Sequence, residues 1–171
     1  MIVLVTGGAR GGKSEFALKL AEKLEGKMLF LATAEAFDEE MEQRIQRHRK
    51  QRGNRWNTIE EPIYLGKALR PILGLYNTIV VDCLTLWMSN LLGKYPDHEE
   101  KITEVTDDFL SCMLEFKGTI IVVSNEVGMG IVPGNRLARI FRDMAGQLNQ
   151  KVAQIADEVY LIVSGLPLKL K

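Results

Sequence analysis

Cysteine is scarce in this chain: only Cys83 and Cys112 occur among 171 residues. Each lies in an apolar stretch, and neither has a partner at metal-ligand spacing. They read as buried free thiols of a reduced compartment rather than a disulfide framework. An excess of either charge is also missing. Lysine plus arginine and aspartate plus glutamate both number 22, so the net charge is zero. A dedicated nucleic-acid binder carries a basic surplus, so nucleic acid is not expected as a partner. No run of about 18 apolar residues occurs, so no membrane-spanning helix is expected. Residues 1–5 lack a basic lead and break at once into glycines, the pattern of a core strand rather than a signal peptide. The expected location is cytoplasmic.

What remains is ordinary globular composition, 46% apolar and 26% charged, close to the average for folded domains. At roughly 100–200 residues per domain, this length predicts one domain over residues 1–171. No repeat, low-complexity tract or linker divides it. Three β-branched apolar runs, at residues 2–6, 78–84 and 119–124, stand out, with weaker ones at 28–33 and 159–164. None alternates, which is the signature of strands buried on both faces of a parallel sheet. Amphipathic segments of helical length separate them. Helices are expected from Lys13 or Ser14 to Leu24, over 38–52, 64–75, 86–92, 102–116 and 135–156. Gly26 and Gly53 are stop signals, and Pro71 limits the regularity of the third. Strands alternating with helices predict an α/β fold, a mostly parallel central sheet with helices on both faces.

The first strand runs into Gly7, Gly8, Ala9, Arg10, Gly11, Gly12, Lys13 and Ser14, which fits G-x-x-x-x-G-K-[ST]. Glycines let successive backbone N–H groups wrap a phosphate closely. Lys13 then reaches the β- and γ-phosphates, and Ser14 offers a hydroxyl to Mg²⁺. The helix that follows adds the positive end of its dipole. This strand–loop–helix context predicts a P-loop nucleoside triphosphatase fold. Asp82 follows Thr78-Ile-Val-Val81, which places an acid at a strand's carboxyl end. There it holds Mg²⁺ through water, or else caps the next helix. The chain has no N-K-x-D guanine reader, so spacing does not name the base.

Residues 35–55 are polarised, with acids from Glu35 to Glu42 and bases from Arg44 to Arg55. Helix-dipole preference explains that order. It does not explain six bases flanking His48, one of only two histidines. Met41, Ile45 and His48 fall on one helical stripe. His48 is thus either a half-buried packing residue or a nucleophile toward phosphorus, its basic neighbours neutralising a triphosphate. His98, in a polar run, reads as a surface residue at a helix start.

Taken together, these residues resemble the bifunctional adenosylcobinamide kinase / adenosylcobinamide-phosphate guanylyltransferase family of cobalamin biosynthesis. The resemblance runs from end to end. It rests on the phosphate loop, Ala32-Thr-Ala34, the stretch from Asp38 to Arg49, Glu60-Glu-Pro62, Asp82-Cys-Leu-Thr85 and Asn90-Leu-Leu92. It continues through residues 123–133, Asn135-Arg-Leu-Ala-Arg139, Phe141-Arg-Asp143, Gly146, Asn149-Gln150 and Val163-Ser-Gly165. The family usually has serine where this chain has Gly11, and some members have a second histidine where it has Arg47. Pro167 replaces a commoner small residue.

The resemblance implies a RecA-like P-loop fold and two reactions. ATP or GTP phosphorylates adenosylcobinamide. GTP then guanylylates His48, and adenosylcobinamide phosphate takes the GMP. It also implies Ala32, Thr33 and Ala34 beside the triphosphate, with Arg49, Lys50, Gln51 and Arg52 lining the GTP site. Glu61 is expected nearby, Ser14 and Asp82 toward Mg²⁺, and a homo-oligomer, a trimer. Asn125 and Glu126, at the carboxyl end of a strand, are further candidates for the site. Two rivals stand: a single-function small-molecule kinase with a structural His48, and a nucleotide-dependent switch.

Overall fold

The computed structural model describes residues 1–34 and 56–171. Its centre is a seven-stranded sheet in the order β3-β2-β4-β5-β1-β6-β7. The strands are β1 (Ile2–Gly7), β2 (Met28–Ala32), β3 (Trp56–Glu60), β4 (Thr78–Asp82), β5 (Thr119–Val123), β6 (Glu158–Val163) and β7 (Leu166–Lys169). All neighbours pair in parallel except β7, which returns antiparallel along β6. Every residue of β1 and β2 is buried, as is β4 up to Asp82. That is the condition under which a strand reads as an unbroken apolar run.

Alternate side chains of these strands feed two cores. Val3, Val5, Phe30 and Val80 pack with Ala17 and Ala21 of α1 (Lys13–Glu22) on one face. Leu4, Leu29, Leu31 and Val81 face the opposite layer. That layer holds α2 (Leu65–Leu69), α3 (Leu84–Lys94), α4 (Glu99–Glu115) and α5 (Arg136–Ile155). Trp87 of α3 meets Phe109 of α4 edge-on, ring centres 5.2 Å apart. The helices on both faces are as the sequence predicts. Cys83 and Cys112 are free and buried. Among the described residues no helix is long and apolar enough to cross a membrane.

The differences from expectation lie at edges and boundaries. Strands β3 and β7 carry no apolar run and were not expected. The helix expected over 38–52 lies outside the described residues. The run at 78–84 is strand only to Asp82, because the Cys83 Sγ accepts the Leu86 N–H at 3.5 Å and caps α3. After α2 the chain tightens into a 3₁₀ turn at Arg70–Leu75, with Pro71 in its first turn; the ring fixes φ and removes a donor. α1 stops at Glu22, short of Leu24, and Gly26 (φ 95°) sits in the loop beyond. His98 is exposed just before α4, its Nδ1 3.2 Å from Glu100. Pro167 falls in the edge strand β7, where a sheet tolerates proline.

Candidate functional site

Gly7 leaves β1 at the carboxyl edge with φ 148°. A Cβ there would stand 2.4 Å from the Ile162 carbonyl oxygen of β6, so only glycine allows this approach of two strands. The loop then turns. The Gly11 N–H donates to the Gly8 carbonyl at 3.2 Å, and Gly12 (φ 92°) opens α1. A brace comes from the other end of the chain. The β6–β7 turn has positive φ at both Ser164 and Gly165, the two-residue geometry that matches strand twist. Its Gly165 N–H donates to the Gly11 carbonyl at 3.0 Å.

Lys13 is 6% exposed. Its Nζ donates to the Gly8 carbonyl at 2.6 Å. Burial pushes the ammonium below the ordinary lysine value, and the charges at Cys83 and Asp82 pull partly back. The Cys83 thiol is itself pushed up to about 11 by burial, with Asp82 adding to the rise. At neutral pH the counter-charge at Lys13 is therefore the Asp82 carboxylate. Backbone N–H groups at a helix start, joined to a desolvated cation, make an anion receptor.

A cleft of about 750 Å³ opens over this loop. Ala9, Arg10, Gly11, Gly12, Lys13 and Ser14 form one wall, and Ala32, Ala34, Asp82 and Asn125 line it from the strand ends. Four segments far apart in sequence thus meet. Gly7 and Gly8 shape the loop rather than line the cleft. Thr33 alternates to the other side of β2 and is completely buried. Its hydroxyl accepts the Cys83 N–H at 2.8 Å and donates to the Cys83 carbonyl at 2.7 Å. Asn90 Nδ2 donates to the carbonyls of Thr33 (2.8 Å) and Pro62 (3.2 Å). These bonds tie the carboxyl ends of β2, β3 and β4 together.

Glu61 accepts the N–H groups of Ile63 and Tyr64 at 2.8 and 2.9 Å. It is the neighbouring Glu60 that lines the cleft. The sequence reading missed Glu60 because it missed β3, whose register sets Glu60 beside Ala32. His48, Arg49, Lys50, Gln51 and Arg52 lie outside the described residues. Ala34, the last described residue before them, lines the cleft.

Ser14 and Asp82 face the same space. Among the described residues no three His, Cys, Asp or Glu side chains form a metal cage. Two protein oxygens, completed by phosphate oxygens and water, are the donor set that suits Mg²⁺.

Asn125 and Glu126 part company. The Asn125 N–H donates to Thr85 Oγ1 at 2.7 Å, and the residue lines the cleft over the loop. Glu126 lines a second cleft, about 730 Å³, between the sheet and α5. The Glu126 N–H donates to the Gly7 carbonyl at 3.0 Å. Its Oε1 accepts the Gly128 N–H at 2.7 Å.

Comparison with known proteins adds to this geometry. The family model described as cobinamide kinase / cobinamide phosphate guanyltransferase matches residues 3–170. The bifunctional adenosylcobalamin biosynthesis protein CobP of Pseudomonas aeruginosa is 42% identical, over 98% of this chain and 96% of its own. Proteins with the same description, called CobU, from Escherichia coli and Salmonella typhimurium are 38% and 39% identical, covering all of both chains. Among solved structures the RadB recombinase matches with a TM-score of 0.51 at 12% identity, over 94% of this chain and 73% of that one. That likeness concerns the fold, which is of the P-loop nucleoside triphosphatase type.

Proposed function

The chain belongs to the cobinamide kinase / cobinamide phosphate guanyltransferase family, and from that premise we propose that one triphosphate cleft serves both of its reactions. The enzyme is bifunctional: it phosphorylates cobinamide and transfers a guanylyl group to cobinamide phosphate. The observation that carries a shared cleft is the convergence of the phosphate loop, Ala32, Ala34, Asp82 and Asn125 on a single space.

In the first reaction the loop N–H groups and Lys13 hold the β- and γ-phosphates of ATP or GTP. The substrate hydroxyl attacks the γ-phosphorus, and the bond to the β–γ bridging oxygen breaks. Glu60 is the carboxylate at the β3 end of the cleft that can take the hydroxyl proton. Ser14 and Asp82 would hold Mg²⁺, which neutralises charge on the phosphate oxygens. In the second reaction a neutral His48 nitrogen attacks the α-phosphorus of GTP. Pyrophosphate leaves, held by the same loop, and a phosphoramidate remains. A phosphate oxygen of adenosylcobinamide phosphate then attacks that phosphorus. The N–P bond breaks, and His48 is restored as adenosylcobinamide-GDP departs. Arg49, Lys50, Gln51 and Arg52 neutralise and orient the GTP phosphates.

The homo-oligomer implied by the resemblance has a surface to form on. Met129, Ile131, Val132 and Leu137 are 80%, 96%, 60% and 61% exposed, large apolar side chains that contact with another protein would cover. A cytoplasmic location agrees with two free thiols.

Incubation with GTP labelled at the α-phosphate tests the mechanism. The expected result is acid-labile, alkali-stable label on the protein, absent in His48→Ala. An unlabelled wild type overturns the histidine intermediate and favours the single-function kinase.

A further inference from the structure

The sheet order gives Asn125 a particular place. β5 lies between β1, which runs into the phosphate loop, and β4, which ends in Asp82. Val123 pairs with Val5 on one side and with Asp82 on the other. Beyond β5 the chain stays beside the loop. The Ser124 N–H donates to the Val5 carbonyl and the Glu126 N–H to the Gly7 carbonyl, both at 3.0 Å. Alternation sends Ile121 and Val123 toward α1, and Asn125 follows them into the triphosphate cleft. It enters between the loop that holds the phosphates and the acid that faces Mg²⁺.

Its backbone is clamped from both sides. The N–H donates to Thr85 Oγ1 at 2.7 Å, and the carbonyl accepts Asn149 Nδ2 at 3.2 Å. Both anchors are buried. The side-chain amide, by contrast, makes no hydrogen bond among the described residues. The Thr6 Oγ1 and Asn149 Oδ1 are unpaired too, but they are sealed from the surface. The half-buried Asn125 borders open space. An uncommitted donor on a fixed backbone is preorganised for a ligand. A cation at this position would be drawn to Asp82 and Glu60, the carboxylates of the same cleft. An amide is not, and stays available.

We propose that Asn125 reads the γ-phosphate, its Nδ2 donating to a γ-phosphoryl oxygen, an inference that rests on the triphosphate reading of this cleft. The loop N–H groups wrap the β-phosphate, and Asp82 marks the side on which the γ-phosphate lies. In the kinase reaction charge spreads over the three γ-phosphoryl oxygens as the bridging bond breaks. A fixed amide donor meets that charge without having to reorganise. In the guanylyl reaction the same contact holds the far end of the departing pyrophosphate. The amide thus distinguishes a fresh triphosphate from a spent diphosphate.

Calorimetric titration with two nucleotides gives the test. One is GDP. The other is the α,β-methylene analogue of GTP, which keeps the γ-phosphate and cannot lose pyrophosphate. Both are titrated with Mg²⁺ present. Asn125→Ala should weaken binding of the analogue by about 10- to 100-fold, the worth of one hydrogen bond to a charged group. Asn125→Asp keeps the shape and should weaken it at least as much, because a carboxylate repels the γ-phosphate. GDP affinity should not change in either variant, since the backbone bonds to Thr85 and Asn149 do not involve the side chain. Equal weakening of both nucleotides, or of neither, overturns the proposal. So does a wild type that binds the analogue no more tightly than GDP. A wild type that binds neither nucleotide overturns the triphosphate reading itself, and shows this without any variant.

Discussion

The two clefts beside β1 are similar in volume and opposite in construction. Over the phosphate loop the backbone is forced: Gly7 and Gly12 hold positive φ, and Gly7 nearly touches β6. The polar groups there are already engaged, with Lys13 on the Gly8 carbonyl and Gly165 on Gly11. Against α5 the backbone is regular helix, Gly146 has room around it, and two polar atoms wait unpaired. One cleft is preorganised for charge and tolerates no change of shape. The other is lined by regular helix and has room for added atoms at Gly146.

The largest effect that would break this contrast is expected at Lys13. Lys13→Ala should lower both phosphorylation and guanylylation by about 10²–10³-fold, the loss typical of one preorganised donor to developing charge. Cobinamide affinity, measured by titration of its visible absorption, should not change. Retained guanylylation with lost kinase activity would mean two nucleotide sites. Next comes Gly7→Ala, which meets both a clash and a strained φ. It should destabilise by about 2–4 kcal/mol in chemical denaturation. At Gly146 the sign reverses. Gly146→Ala should stabilise by about 0.5–1 kcal/mol through helix propensity, because nothing lies within 4 Å of the added methyl.

The smallest effect concerns the thiols. Burial holds Cys83 and Cys112 up at about 11 against an ordinary thiol value of 9.0. A raised acid binds its proton more tightly in the folded state. Stability from this source is whole below pH 9 and falls as pH rises toward 11. Neither native cysteine should react with iodoacetamide at pH 8, and both should after unfolding.

How much of this could be read in advance depends on burial. β1, β2, β4 and β5 are packed on both faces, so their sequences had no freedom to be polar. The edge strands had that freedom. β3 is Trp56-Asn-Thr-Ile-Glu60, mostly part-exposed, and β7 is wholly exposed and contains Pro167. Neither carries a signal beyond its neighbours, since pairing partners rather than side chains define an edge. The phosphate loop was legible because its chemistry demands particular residues at fixed spacing. The split between Ala32 and Ala34 in the cleft and Thr33 behind it follows from strand alternation, once β2 is known. Glu60 rather than Glu61 could not be chosen without the register of β3. The unpaired state of Thr6 and Asn149 has no sequence signal at all, because it is a property of the space between elements.

The bond from Gly165 to Gly11 sets an order of events. Its two residues come from opposite ends of the described chain, so it is among the contacts of greatest sequence separation in the molecule. Contacts of that kind carry the largest loop-closure cost and slow the search for the native state. In refolding, helical signal should therefore recover before the capacity to hold a triphosphate, and a fluorescent nucleotide would time the last closure of the sheet.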